Sequence, residues 1–296
     1  MPRSSAQRGF LLALLGTTLF SCKGILIKLC YQHGATPDVV IALRMAFAFP
    51  FYVAVAWHER HVASACDKKL LLKAAGFGLM GYFVSSLLDM YGLLYISASL
   101  ERIILYSYPT MTLLLTVWFL QARLQRPMVL WIGLIYGGLA LVFLNPARSD
   151  SGQARELWIG SGLVFAAAFA YAIFLVATEV LLKTIPHRLF TALAMLSASG
   201  AIFLYAGLRL ELAQLLQQAP VIYWLALLIA IFCTVLPSFI VAAAIDHIGA
   251  ARTGAIGSAG PLITLGLATL MLGESITPLQ LLGFVIVMVG IYRLRE

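Results

Sequence analysis

The hydropathy of the chain alternates between long apolar runs and short polar stretches. A membrane-spanning helix needs about 20 mostly apolar residues. Ten runs meet that length: 9–31, 37–57, 70–95, 99–120, 127–145, 157–181, 186–208, 220–245, 249–272 and 277–294. Pro37, Pro127, Pro186 and Pro220 stand at the heads of runs, where proline's missing N–H costs a helix nothing. Asn145-Pro146 closes the fifth run, and the polar stretch 148–156 reads as a linker. The expected fold is therefore all-α and integral to the membrane: ten transmembrane helices in two five-helix units, residues 9–146 and 157–295.

The two units share a pattern. In the second, an apolar run with Pro261 in its middle leads to Gly273-Glu274-Ser275-Ile276-Thr277-Pro278, then to a run carrying Gln280, Gly283 and Gly290. In the first, Pro109 answers Pro261 and Gly133 answers Gly283, but Gln121-Ala122-Arg123 stands where the second unit has Gly273-Glu274-Ser275. A repeat spaced at half the chain is a strong architectural signal. Five is an odd number, so the second unit enters the membrane from the opposite side. Such inverted repeats are a recurrent basis for alternating access.

This paired pattern resembles the EamA-type branch of the drug/metabolite transporter superfamily, over nearly the whole chain. The resemblance implies a secondary transporter, an exporter, of a small organic metabolite such as an amino acid or related compound. Because Ala122 occupies the place of Glu274, Glu274 is expected to matter for stability more than for binding.

Composition agrees with lipid as the solvent. Apolar residues make up 62% of the chain and charged residues 11%, with a mean hydropathy of +0.96. A soluble domain holds about 45–50% apolar residues. The net charge of +8 comes from cations scattered singly or in pairs between runs, so it does not indicate nucleic acid. Most of them fall on the side that also holds Arg3, Lys68, Lys69 and Arg293 if the N-terminus is inside, which expects both termini in the cytoplasm. The expected location is the cell membrane, of the bacterial inner-membrane kind, with the lipid bilayer as partner. Cys22, Cys30, Cys66 and Cys233 stand alone without CxxC spacing, so no metal site and no cofactor is expected.

Two motifs dissolve in context. Gly76-Phe77-Gly78-Leu79-Met80-Gly81 matches the dinucleotide fingerprint but lies within an apolar run, not after a strand; helix packing is the expected use. Gly133 and Gly137 have the spacing of a helix-packing face.

The charges inside the runs carry the functional expectation, because each is costly unless paired or facing water. At about 1.5 Å per residue, Lys23 lies roughly 12 Å from one face, Arg44 roughly 10 Å and Asp89 roughly 9 Å; Glu101 and Arg102 lie roughly 3–5 Å deep. All five fall in the same half of the membrane. Lys23 and Arg44 are expected to bind or gate, and Asp89 and Glu101 to pair with them or carry a coupling proton. Arg44 with Asp89, or Lys23 with Glu101, are the expected pairs. Tyr106, Tyr108 and Ser258 are expected to line a cavity beside kinks at Pro109 and Pro261, where a small-molecule substrate would sit. No nucleophile–base or metal-ligand set stands out, so no catalytic residue is assigned. A membrane scaffold or receptor without transport, and a membrane-embedded enzyme, stay open as alternatives.

Overall fold

A computed structural model of the chain describes residues 3–120, 126–143, 151–248, 260–274 and 277–294. The first unit runs α1 (Arg3–Ser21), α2 (Lys23–Gln32), α3 (Pro37–His58), α4 (Arg60–Ala65), α5 (Lys68–Gly78), a π turn (Leu79–Val84), α6 (Ser85–Tyr95), α7 (Ala98–Leu105), α8 (Tyr108–Leu120) and α9 (Arg126–Phe143). The second runs α10 (Ser151–Leu181), α11 (His187–Arg209), α12 (Leu212–Leu216), α13 (Pro220–Ala230), a second π turn (Ile231–Val235), α14 (Leu236–Ile248), α15 (Gly260–Leu272) and α16 (Pro278–Leu294).

Six helices among the described residues are long and apolar enough to cross a membrane: Gln7–Gln32, Pro37–His58, Lys68–Tyr95, Ala154–Thr178, His187–Arg209 and Pro220–Val241. Val129–Gly138, Ile263–Leu272 and Leu281–Gly290 are shorter apolar helices. The protein is an all-helical membrane protein among its described residues.

The runs are less uniform than their hydropathy suggests. The first breaks at Cys22, between α1 and α2, and the fourth breaks at Tyr106-Ser107, between α7 and α8. The third and eighth each carry a π turn, and Leu79 and Ile231 are related by the same offset that relates Pro109 to Pro261. Pro109 occupies the second position of α8, after the break at Tyr106-Ser107, rather than the interior of a continuous helix. There the absent N–H would have no intrahelical acceptor in any case. The expected linker 148–156 is also shorter than foreseen, because α10 begins at Ser151.

Lipid removes the hydrophobic drive between helices, so small residues and polar ties hold them. Gly78 packs directly on the backbone of Ala194, and Gly81 on the ring of Phe174. A Cβ at either would overlap its neighbour, so the apparent nucleotide motif is a seat for α10 and α11. The Gly133/Gly137 expectation fails among the described residues, none of which comes within 4 Å of a Cβ at either. Gly138 and Gly290 make the α9–α16 contact instead, Gly138 against the Gly283 carbonyl at 2.8 Å and Gly290 against Ile135 at 2.6 Å from the Cβ position.

Hydrogen bonds fix which helix ends lie together. Tyr31 Oη donates to the Met90 carbonyl at 2.7 Å. Tyr91 and Tyr205 hydroxyls both donate to Asp38 Oδ1, at 2.7 and 3.0 Å. The ends of α2, α6 and α11 and the start of α3 therefore share one face of the bundle, here the far face. The near face is the one where α1 begins.

Candidate functional site

The helix irregularities converge. Lys23 is the first residue after the break in the first run; Arg102 and Tyr106 flank the break in the fourth. Gly81, Tyr82, Ser85 and Ser86 lie in or beside the first π turn, and Cys233 and Thr234 in the second. All of these, with Arg44, Asp89, Tyr108, Tyr171 and Met195, line one cavity of about 200 Å³. π turns and broken helices recur at functional sites because they free backbone groups and re-aim side chains. Another hollow, of about 330 Å³ beside α5, is walled by apolar groups with Lys73 its one charge; it lacks the convergent polar groups of a binding site.

The charges meet there. Lys23 Nζ donates to Asp89 Oδ2 at 2.7 Å, with Asp89 only 1% exposed. Arg102 Nε stands 3.7 Å from Glu101 Oε2, and Arg102 Nη2 donates to the Phe20 carbonyl at 3.4 Å. The Glu101 carboxyl faces Asp89 and rests over Gly24, 3.1 Å from where a Cβ would stand. Both Glu101 oxygens, Asp89 Oδ1 and Arg44 Nε are buried without a hydrogen-bond partner among the described residues. The pairing differs from both expected pairs: Lys23 meets Asp89, and Arg44 enters neither ion pair.

The cavity is one-sided. Phe20 precedes Lys23 on a run leading to the far face, and Met45 follows Arg44 on the run returning. Gly81 to Ser86 precede Asp89, and Leu105 to Tyr108 follow Arg102. Every one of these lies on the near side of its own charge. The charges thus roof a cavity that extends toward the near face.

Contacts between the two units close the far side. Tyr91 and Tyr205 share Asp38, and the Arg209 guanidinium lies 5.7 Å from the centre of the Tyr205 ring. Glu274 accepts from the Ala98 and Ser99 amides at 2.8 and 3.1 Å and from Ser99 Oγ at 2.6 Å. It therefore caps the N-terminus of α7, where a carboxylate also meets the favourable end of the helix dipole. Gly273, at φ +64°, makes the turn that delivers it.

Of the sequence candidates, Lys23, Arg44, Asp89, Tyr106 and Tyr108 line the cavity, and Glu101 packs behind Asp89. The Tyr108 ring meets Tyr171 edge-on at 5.3 Å. Tyr106 turns its hydroxyl against Gly260, the first residue of α15. The Ser21 hydroxyl also donates to the Gly260 carbonyl, at 3.1 Å, and Thr264 Oγ1 donates to the Ser21 carbonyl at 3.0 Å. Pro261 is buried beside this junction. Ser258 lies outside the described residues. Arg102, Tyr82, Tyr171 and Thr234 were not singled out as site residues. Arg102 had a usable signal, since it shares the depth of Glu101.

A polytopic helical protein with a charged, half-closed cavity between two similar units is built as membrane transporters are. Comparison with known proteins gives the family. The EamA-like transporter family model matches twice, at residues 7–144 and 158–295, and the chain belongs to that family. It is 33% identical over 287 residues to the Bacillus subtilis protein named "Uncharacterized transporter YcbK", covering 94% of this chain and 89% of the relative. It is 27% identical over 303 residues to a Salmonella typhimurium protein named "Probable amino-acid metabolite efflux pump", covering 97% and 94%. A solved crystal structure shares the fold over 100% of this chain and 98% of its own, with a TM-score of 0.62 at 16% identity.

Proposed function

We propose that the protein is a secondary exporter of a small organic metabolite, such as an amino acid or related compound. In this reading it works by alternating access across ten spans, arranged as two inverted five-helix repeats in the cell membrane with both termini cytoplasmic. The observation that carries the reading is the cavity roofed by Lys23, Arg44, Asp89 and Arg102, with walls from both units. The family and the name of the Salmonella relative support it. With the N-terminus inside, the near face is the cytoplasmic one, so the cavity extends toward the compartment where an exporter loads. The Asp38 and Glu274 ties then form the closed gate, and Tyr106 and Tyr108 belong to the loading side.

The Asp89–Glu101 pair is the proposed seat of a coupling proton. One proton shared between the two carboxyls would satisfy oxygens that otherwise lack donors, and Lys23, Arg44 and Arg102 are the cations that compete with it.

Counterflow in liposomes holding the purified protein tests the function. Radiolabelled amino acids should exchange with wild-type protein and not with Asp89→Asn. Uptake no greater than in empty liposomes for every solute would overturn the reading. A reporter after Arg295 should read cytoplasmic and one at Ser149 external; a cytoplasmic signal at Ser149 would remove the inverted arrangement.

A further inference from the structure

Resting on the reading of this cavity as a transport site, the charge balance of the cluster points to the solute's chemistry. Three cations and two acids lie together, all buried but the half-buried Lys23, and each acid already has a cation: Asp89 has Lys23 and Glu101 has Arg102. Arg44 is the remainder. It is 4% exposed, lines the cavity, joins no ion pair among the described residues and leaves its Nε without a partner. Tyr31, Tyr52, Cys233 and Asp89 surround it electrostatically, and Tyr52 directs its own hydroxyl elsewhere, toward Ser238 and the Thr234 carbonyl. The carboxylate nearest Arg44, that of Asp89, is already bonded to Lys23, and a buried guanidinium that must share its counter-ion is poorly compensated. It is retained where a ligand completes it.

We propose that Arg44 is the anchor for a carboxylate on the transported solute, and that the protein selects small monocarboxylates, amino acids included, by this contact. The guanidinium fork matches a carboxylate with two parallel hydrogen bonds, which a lysine at this position could not reproduce. With Asp89 and Glu101 both ionised, after the coupling proton has left, the cluster keeps a charge of +1, so a monoanionic head group neutralises it and a dianionic phosphate would leave it negative. The rest of the solute would lie toward the near face, against Met45, Met195, Tyr82 and Tyr171. Those walls offer aromatic and thioether surface that accepts varied apolar shapes. Arg44 thus sets the class of solute and the walls its size.

The test is thermal stability of the purified full-length protein in detergent. The panel holds the common L-amino acids, acetate and lactate, the matching amides of each, and phosphonate analogues. Each is used at about ten times a millimolar dissociation constant. At least one carboxylate should raise the melting temperature by about 2–4 °C, and its amide and phosphonate should not. Arg44→Gln should abolish the shift. Arg44→Lys, which keeps the charge and loses the fork, should weaken binding about tenfold. Gel filtration checks that both variants stay monodisperse. If Arg44→Gln does not fold, protection of Arg44 from phenylglyoxal by the stabilising carboxylate replaces it; modification at an unchanged rate would overturn the proposal. An amide as effective as its acid, an unaltered response in Arg44→Gln, or no carboxylate stabilising the wild type would also overturn it. Counterflow of a solute lacking a carboxylate would reject this assignment while leaving the transport reading intact.

Discussion

The two units use one frame for different work. The offset that carries Pro109 onto Pro261 and one π turn onto the other carries Asp89 onto Val241. The offset from Pro37 to Pro186 carries Arg44 onto Leu193. Where the first unit places a buried charge, the second places a packing side chain: Val241 stands against Gly16, 2.7 Å from its Cβ position, and Leu193 packs against an apolar cluster containing Phe190 and Ala194. In exchange, the second unit supplies Thr234, Met195 and Tyr171 to the walls and Glu274 and Tyr205 to the far-side ties. The π turn is thus common to both halves, while buried charge, among the described residues, belongs to one. The irregularity shapes a cavity; the charges decide what it is for.

The sharpest way to break this contrast is to neutralise a charge in the first unit. Asp89→Asn leaves the Lys23 ammonium without its carboxylate, and removing one partner of a buried pair costs about 3–5 kcal/mol. Unfolding in detergent should show that loss, with counterflow abolished. Lys23→Met with Asp89→Leu should be more stable than either single change, as a double-mutant cycle would reveal. Next in size is packing at the first π turn. Gly81→Leu must displace the Phe174 ring and should cost about 1–3 kcal/mol, whereas Gly137→Leu, facing open space, should change the melting temperature little. Below that comes the cap. Glu274→Gln should cost about 1 kcal/mol, and carboxylate binding should persist; loss of binding without loss of stability would mean that Glu274 reaches the solute. Smallest are the ties to Asp38. Tyr205→Phe and Tyr91→Phe should each cost about 0.5–1.5 kcal/mol, and together more than their sum, because each single change leaves the other hydroxyl to bond Asp38 Oδ1 without competition. A cost below the sum would show that the tie acts as one cooperative gate.

The parts of this architecture that local chemistry dictates could be read from the chain. Pro37 and Pro220 head helices because proline's missing N–H costs nothing there. Apolar length marked the long spans. The break at Cys22 could not be read, since neither Pro nor Gly occupies Ser21 or Cys22; Ser21 is tied to Gly260 far along the chain. The π turns share that origin: Leu79-Met80-Gly81-Tyr82 reads as ordinary helix until Phe174 is brought against Gly81. Depth along a helix placed the charges in one layer, but depth carries no azimuth. That is why Lys23 could be grouped with Asp89 and not paired with it, and why Arg102 was taken as a neighbour of Glu101 rather than as a wall of the cavity.

The first π turn also bears on how this chain can change in length. A π turn holds about one residue more than an α turn, and one residue is about 100° of helical rotation. The extra residue is taken up inside the turn, so deleting one residue of Leu79–Val84 would restore regular hydrogen bonding there and leave Ser85–Tyr95 facing as it does now, with Asp89 still at Lys23 and Tyr91 still at Asp38. A residue added or removed between Asp38 and Arg44, in the regular helix α3, has no such turn to absorb it and would swing Arg44 by more than a quarter circle. Tolerance to insertion and deletion is therefore unevenly distributed: present in the connections and at the two π turns, and absent in the regular helices between them.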